Sequence, residues 1–415
     1  MYIKRDIHKE VFKHLGRKEY TIITGSRQSG KTSLIRAISS DLKASGAVVD
    51  YVTFEDRDVL SAINTHPEEI FAFARRPEQI SGLSAQTGPV HFLFVDEIQY
   101  ADDPSNFLKY LFDRYGANLK IVATGSSAFY IDRKFKDSLA GRKRVFELGT
   151  LSFAEYLRFK SREELEAELT IIRNRERYRS TQSRALLEEF YEFIVFGGYP
   201  EVALEKEEDE KILMLKEIRD SFLKRDIDES GISSPDKFYT FLSLLADQTG
   251  SLVNRNELSN TLGVDHKTVD KYMGVLRKCF HIELVKPFHS NRRKELTKMP
   301  KVYFKDPGLR NAALNRFHRF HTRQDQGALV ENYVYKRLCG IYDPDSIRFW
   351  RFDEKKEIDF VLQTSFNEGL AYEVKLKCSG TKMKSIQDFT RLYPAFPVQV
   401  LSCDIADACM WILSL

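Results

Sequence analysis

Two sets of residues in this chain have the types and spacing that phosphate chemistry requires. The first is Gly25-Ser26-Arg27-Gln28-Ser29-Gly30-Lys31-Thr32, followed by Ser33, which has the form GxxxxGK[ST]. Glycines let the amides of such a loop curl around phosphate oxygens at the positive end of a helix. Lys31 is then expected on the β- and γ-phosphates, and the Thr32 hydroxyl on Mg2+. Asp96 and Glu97 close the run HFLFVDEIQ. Asp96 is expected to hold the same Mg2+, directly or through water, and Glu97 to polarise the attacking water. This pair points to hydrolysis of a nucleoside triphosphate, with ATP the favoured one. The second set is Asp359, Glu373 and Lys375, an acid followed by the [E/D]-x-K pattern, with Glu331 upstream. Glu331, Asp359 and Glu373 are candidate oxygen ligands for another Mg2+, with Lys375 orienting or deprotonating a water. That chemistry would cut a phosphodiester bond. A salt-bridged trio of Asp359, Lys375 and Glu373 is the competing reading.

These residues need particular elements to position them. Tyr20–Thr24 reads as a strand entering the glycine loop, and a helix begins at Lys31. HFLFVD is a continuous apolar run, as in a parallel sheet covered on both faces. VVDYVTFED supplies another strand between the two motifs, an order found in additional-strand ATPases. LKIVATGSS ends in Thr124-Gly125-Ser126-Ser127, which brings Ser126 toward the γ-phosphate in a doubly wound sheet. Arg142 and Arg144 are candidate stabilisers of transition-state charge, or simply a solvated basic turn.

Residues 1–150 thus read as a P-loop ATPase domain of three-layer αβα type, and 151–235 as a helical lid. Residues 236–305 read as a winged helix-turn-helix, with Asp265 capping its second helix. His266, Lys267, Thr268 and Lys271 start that helix, where a DNA reader places its contacts. From Lys286 to Lys305 there are seven bases, among them Arg292, Arg293 and Lys301, against the one acid Glu295. A wing of that charge suits a phosphate backbone, although such a domain also serves as a packing lid. Residues 306–415 run helix, three strands, helix, strand. That is the order of a restriction-endonuclease-like fold, in which Glu373 and Lys375 share a face.

The motifs GSRQSGKTSL, FVDEIQ, ATGSSA, LAGR and LSFAEYL, with FGGYPEV from Phe196 to Val202, resemble the AAA-like ATPases often called archaeal-type and related to the STAND ATPases. That family commonly has proline where Ser26 stands. The resemblance implies a helical lid, a winged helix and a nuclease-like C-terminal domain. It also implies that Pro200 lies near the nucleotide, by analogy with a glycine–proline motif of STAND relatives.

With 42% hydrophobic and 30% charged residues and a net charge of +4, the composition is that of a soluble multidomain protein. No run approaches a membrane span, and MYIKRDIHKE lacks the apolar stretch of a secretory leader. The five cysteines form no CxxC pair and read as thiols of a reducing cytoplasm. The expected function is Mg-dependent ATP hydrolysis in a protein associated with double-stranded DNA, with a metal-dependent nuclease tail under nucleotide control. The alternative is an ATP-driven switch or scaffold with a silent tail, which admits ATP-dependent self-association. A small-molecule kinase is disfavoured by Glu97 and by the long downstream chain.

Overall fold

A computed structural model describes residues 2–77, 91–125, 139, 141–175, 178–288, 298–353, 356–365, 368–378, 383–404 and 409–415 of the 415-residue chain. Ser126, Arg292 and Arg293 lie outside these residues. Two compact units are formed, one by residues up to Gly149 with Lys278–Phe280, the other by Thr150–Arg277 with His281–Leu415.

The first unit contains α1 (His8–His14), β1 (Tyr20–Thr24), α2 (Lys31–Ala44), β2 (Val48–Thr53), α3 (Arg57–Thr65), β3 (His91–Asp96), α4 (Pro104–Tyr115), β4 (Leu119–Gly125) and β5 (Lys143–Glu147). Its sheet is wholly parallel, in the order β2-β3-β4-β1-β5. Neighbouring side chains divide between two apolar cores, because successive strand residues face opposite ways. Ile22, Val95 and Ala123 pack toward α3 and α4, whereas Ile23, Phe94 and Val122 pack toward α1 and α2. This is a three-layer αβα unit, and its inner strands β1, β3 and β4 are buried almost throughout because both faces are covered. The acid-bearing β3 is not beside β1; β4 stands between them.

The second unit begins with α5 (Phe153–Phe159), opened by a capping box of Ser152 and Glu155. It continues with α6 (Glu163–Asn174), α7 (Ser183–Phe196), α8 (Pro200–Leu204) and α9 (Glu208–Ser230). Next come α10 (Pro235–Asp247), α11 (Arg255–Leu262), α12 (His266–Lys278), β6 (Ile282–Pro287) and β7 (Lys301–Phe304). The remaining elements are α13 (Pro307–Leu314), α14 (Gln326–Cys339), β8 (Ile347–Arg351), β9 (Glu357–Gln363), β10 (Gly369–Lys375), α15 (Met383–Leu392), β11 (Val398–Ser402) and β12 (Met410–Trp411). β6 and β7 pair antiparallel, and β6 then pairs in parallel with β8 through Lys286 and Pro287. The result is one seven-stranded sheet, β12-β11-β10-β9-β8-β6-β7. The boundary expected at residue 305 therefore falls inside a continuous sheet and not at a linker. Within it β8, β9 and β10 form an antiparallel meander, and α15 carries the chain to β11, parallel to β10.

One further reading is corrected. Cys378 and Cys409 pair as a disulfide 31 residues apart in sequence, where unpaired thiols were expected. Cys403 is a buried thiol whose pKa burial pushes up to about 12. Among the described residues no helix is long and apolar enough to cross a membrane.

The FGGYPEV stretch has a packing role within this unit. Gly197 ends α7 at φ +79°, and a Cβ there would lie 2.1 Å from Asp306 Oδ1 and 2.6 Å from the Gly308 amide. Asp306 caps α13 through the Leu309 amide (3.1 Å) and also accepts the Gly198 amide (2.8 Å). Pro200 opens α8, where its fixed φ suits a first helical position. Gly197→Ala is therefore expected to destabilise the second unit by about 3 kcal/mol or more. Denaturant unfolding should show a lowered midpoint, and an unchanged midpoint would contradict this packing.

Candidate functional site

β1 delivers the chain into the glycine loop, and the loop's shape depends on its first residue. Gly25 has φ +144°, and a Cβ there would sit 2.0 Å from the Leu148 carbonyl oxygen. Gln28 (φ +55°) and Gly30 (φ +93°) turn the loop back into α2. No side chain caps α2, so the amides of Lys31, Thr32 and Ser33 are left without intrahelical acceptors, as at any helix start. Beneath the loop the Arg5 guanidinium donates to the carbonyls of Ser29 (2.6 Å) and Gly149 (2.8 Å). Ser26 and Ser29 are buried, Arg27 is half-buried, and Gln28 and Ser33 are exposed.

The Lys31 ammonium is buried and donates to the carbonyls of Gly25 (3.1 Å) and Ser26 (2.8 Å). Burial pulls its pKa down to about 8, against the opposing charges of Glu97 and Asp96. Asp96 ends β3, buried, with three hydroxyls around its carboxylate. Oδ1 accepts from Thr32 Oγ1 at 3.2 Å and from Thr124 Oγ1, while Oδ2 accepts from Tyr51 at 2.7 Å. Burial and the bond to Asp96 push the Tyr51 phenol upward, so it stays a donor. Glu97 follows in a left-handed conformation, φ +55°, an uncommon backbone for a residue with a side chain. Its amide donates to Thr124 Oγ1 (2.9 Å), and its carboxylate accepts from Gln99. Loop, Lys31, Thr32, Asp96 and Glu97 thus lie together at the carboxyl end of the sheet.

This donor set fits Mg2+. Neighbouring oxygens around an octahedral ion with bonds of 2.0–2.1 Å stand roughly 2.9 Å apart. Thr32 Oγ1 and Asp96 Oδ1, at 3.2 Å, are close to that separation. Arg142 and Arg144 must be corrected. β5 runs parallel to β1 with Lys143 opposite Tyr20 and Glu147 opposite Thr24, so both arginines lie at the amino end, away from the loop. Arg142 pairs with Asp113 at 2.8 Å, and Arg144 stacks on Phe146. Neither reaches the phosphate site of its own unit.

In the second unit, the carboxylates of the tail do not form a metal cage. Among the described residues no three of His, Cys, Asp and Glu converge closely enough to hold an ion. Glu373 is paired with Lys375 at 2.5 Å, and Asp359 accepts the Val374 amide at 2.8 Å. β8 and β9 slip register between Arg348 and Trp350, so Asp359 and Phe360 together oppose Phe349 in a bulge. Glu331 accepts from Tyr303 (2.6 Å) and from Lys301 (3.0 Å). Lys301 also pairs with Glu357 at 2.5 Å and lies 3.9 Å from Asp359. Burial pushes Glu331 and Glu373 up to about 7 each, Asp359's charge adding to both. Lys301 was counted among the bases of the wing; it is instead a buried partner of three carboxylates.

On α12, Lys267 is exposed, but the Thr268 amide caps the helix on Asp265 (2.7 Å). The Lys271 ammonium donates to the Gly231 carbonyl (2.6 Å), and Asp270 pairs with Arg255 (3.1 Å). Sequence reasoning missed Arg5, Tyr51, Gln99, Lys301 and Glu357. Lys301 leaves one trace, a charged residue opening the otherwise apolar strand KVYF.

Residues 17–157 match the family model of an AAA domain, so the first unit is a P-loop NTPase-like AAA domain. Residues 187–319 and 326–407 match two domains of unknown function, DUF8612 and DUF4143. An uncharacterized protein of Mycobacterium tuberculosis is 23% identical over 381 residues, covering 91% of this chain and 74% of that one. An uncharacterized protein of Haemophilus influenzae is 25% identical over 354 residues, covering 82% and 78%. Among solved structures, the Aeropyrum pernix ORC2 protein in its ADPNP–ADP complexes gives a TM-score of 0.38 at 14% identity, covering 74% of this chain and 90% of that one. The replication initiator DnaA bound to AMPPCP and single-stranded DNA gives 0.31 at 15%, covering 66% and 90%. At these scores the likeness assigns nothing.

Two outcomes follow from the geometry. Thr124→Val removes the hydroxyl that orients Asp96 and the Glu97 amide, and should lower ATP turnover about 10–100-fold in a steady-state assay. Lys31 loses its proton as pH rises through about 8, whereas a bound triphosphate favours the ammonium. Affinity for Mg-ATP should therefore be flat below that pH and fall above it, by up to about tenfold per unit. Calorimetry in buffers of different ionisation heat should detect proton uptake on binding at pH 9 and none at pH 7.

Proposed function

We propose that this protein is an Mg-dependent ATP-binding and ATP-hydrolysing switch. On this reading the second unit carries a winged helix-turn-helix and a restriction-endonuclease-like sheet that does not cut in its resting arrangement. The observation that carries the proposal is the Asp96 carboxylate 3.2 Å from Thr32 Oγ1, beside a buried Lys31 held on the loop's own carbonyls. Gly25 to Ser33 would bind the phosphates through their amides, with Lys31 transferring its hydrogen bonds from the Gly25 and Ser26 carbonyls to phosphate oxygens. Thr32 and Asp96 would hold Mg2+, which screens phosphate charge when bound. Glu97 would take the proton of the attacking water, its carboxylate fixed by Gln99 and its backbone by Thr124.

DNA association rests on less. The exposed bases Lys267, Lys286 and Lys298 support it, while Lys271 and Lys301 are committed elsewhere in the fold. The nuclease alternative is favoured by one observation: the antiparallel pairing of β9 and β10 brings Asp359 and Glu373 to neighbouring strands, joined by the bond from the Val374 amide to Asp359.

Glu97→Gln should bind Mg-ATP within a few-fold of the parent yet hydrolyse it about 100-fold more slowly or worse. Phosphate release measured beside equilibrium binding separates the two, and undiminished turnover would remove Glu97 from the mechanism. Plasmid incubated with the protein and Mn2+ should stay supercoiled; nicking that Lys375→Ala abolishes would establish the nuclease reading instead.

A further inference from the structure

Lys301 enters the tail from outside it. The residue lies on β7, the outer strand of the hairpin that follows α12, and its ammonium is almost wholly enclosed, at 2% side-chain exposure. Around it stand carboxylates from two other elements: Glu331 of α14 at 3.0 Å, and Glu357 and Asp359 of β9 at 2.5 and 3.9 Å. Phe349 of β8 covers it, with the ring centre 5.5 Å away. Tyr303, two residues along the same strand, holds Glu331 from the same side at 2.6 Å. The pocket is rich in carboxylate oxygen, and its cation is an ammonium.

We infer that Lys301 is the resident cation of the tail, supplied by the helix-turn-helix hairpin, and that it keeps divalent metal out of the Glu331–Glu357–Asp359 carboxylates. This rests on reading the tail as silent. Charge supports it. At a pH above the raised Glu331 and Glu373 values, and among the described residues, the ionised carboxylates Glu331, Glu357, Asp359 and Glu373 face the cations Lys301, Arg351 and Lys375. One negative charge is left over, too little to hold a divalent ion beside the ammonium in a water-poor site. Remove the ammonium and two negative charges remain, the complement of one divalent cation. The bulge at Asp359–Phe360 also belongs to this arrangement, because it presents Asp359 toward Lys301.

The test is a Mn2+ titration followed by electron paramagnetic resonance, without nucleotide and in an Asp96→Asn background that disables the phosphate-loop ion. The otherwise unaltered chain should hold no tightly bound Mn2+. Adding Lys301→Met should create one site, on the order of tenfold or more tighter, and Asp359→Asn should remove it again. Unfolding followed by circular dichroism should show that Mn2+ raises the Tm of the Lys301→Met protein only. A Mn2+ site in the chain retaining Lys301 that Asp359→Asn abolishes would overturn the inference, as would a folded Lys301→Met protein that binds none. If Lys301→Met does not fold, the titration of the chain retaining Lys301, with and without Asp359→Asn, still decides. A failure of Mg-ATP binding at the first unit would leave these results untouched, so the two readings fail separately.

Discussion

The carboxylate of Asp96 is the point on which the first unit turns. It receives hydroxyls from α2, β2 and β4, so these three elements are tied to β3 at the carboxyl end of one sheet. A buried carboxylate without such donors would be neutralised or expelled. With them its oxygens are held at the mouth of the loop, beside Thr32. The parallel sheet supplies the direction: strands end together, so β1, β3 and β4 place the glycine loop, Asp96 and Thr124 side by side. The same rule carries Arg142 and Arg144 to the other end.

The second unit solves a related electrostatic problem differently. Its sheet buries several carboxylates and balances them with lysines and arginines of the same unit. Because Lys301 belongs to the hairpin after α12 and its partners belong to the tail, the ion pairs join two stretches that sequence alone separates. The pairing of β6 with β8 does the same for the backbone. The stretch from α10 to β7 and the tail therefore share a sheet and a charge network.

Much of the first unit is legible in the sequence because its signals are local. The glycines, Lys31 and Thr32 are contiguous, and the apolar run before Asp96 announces a covered strand. Thr124 was visible at the end of β4 as one of several hydroxyls. Its role was not, since that depends on β4 standing between β1 and β3. The tail was legible as an order of elements and illegible as chemistry. Lys301 looks like any base of a basic wing, and its burial is decided by Glu331 and Glu357, 30 and 56 residues away. The bulge that turns Asp359 leaves no mark in the alternation of EIDFVLQ. Lys271 likewise reads as a DNA contact until the end of α9 is found to be its acceptor.

The measurement closest to the central claim is a calorimetric titration of ATP, with and without Mg2+, into the parent chain and into Asp96→Asn. The account predicts association in the parent that Mg2+ strengthens, and in Asp96→Asn a binding that no longer responds to the ion. No heat of association in the parent, or an Asp96→Asn protein with the parent's Mg2+ dependence, would contradict it.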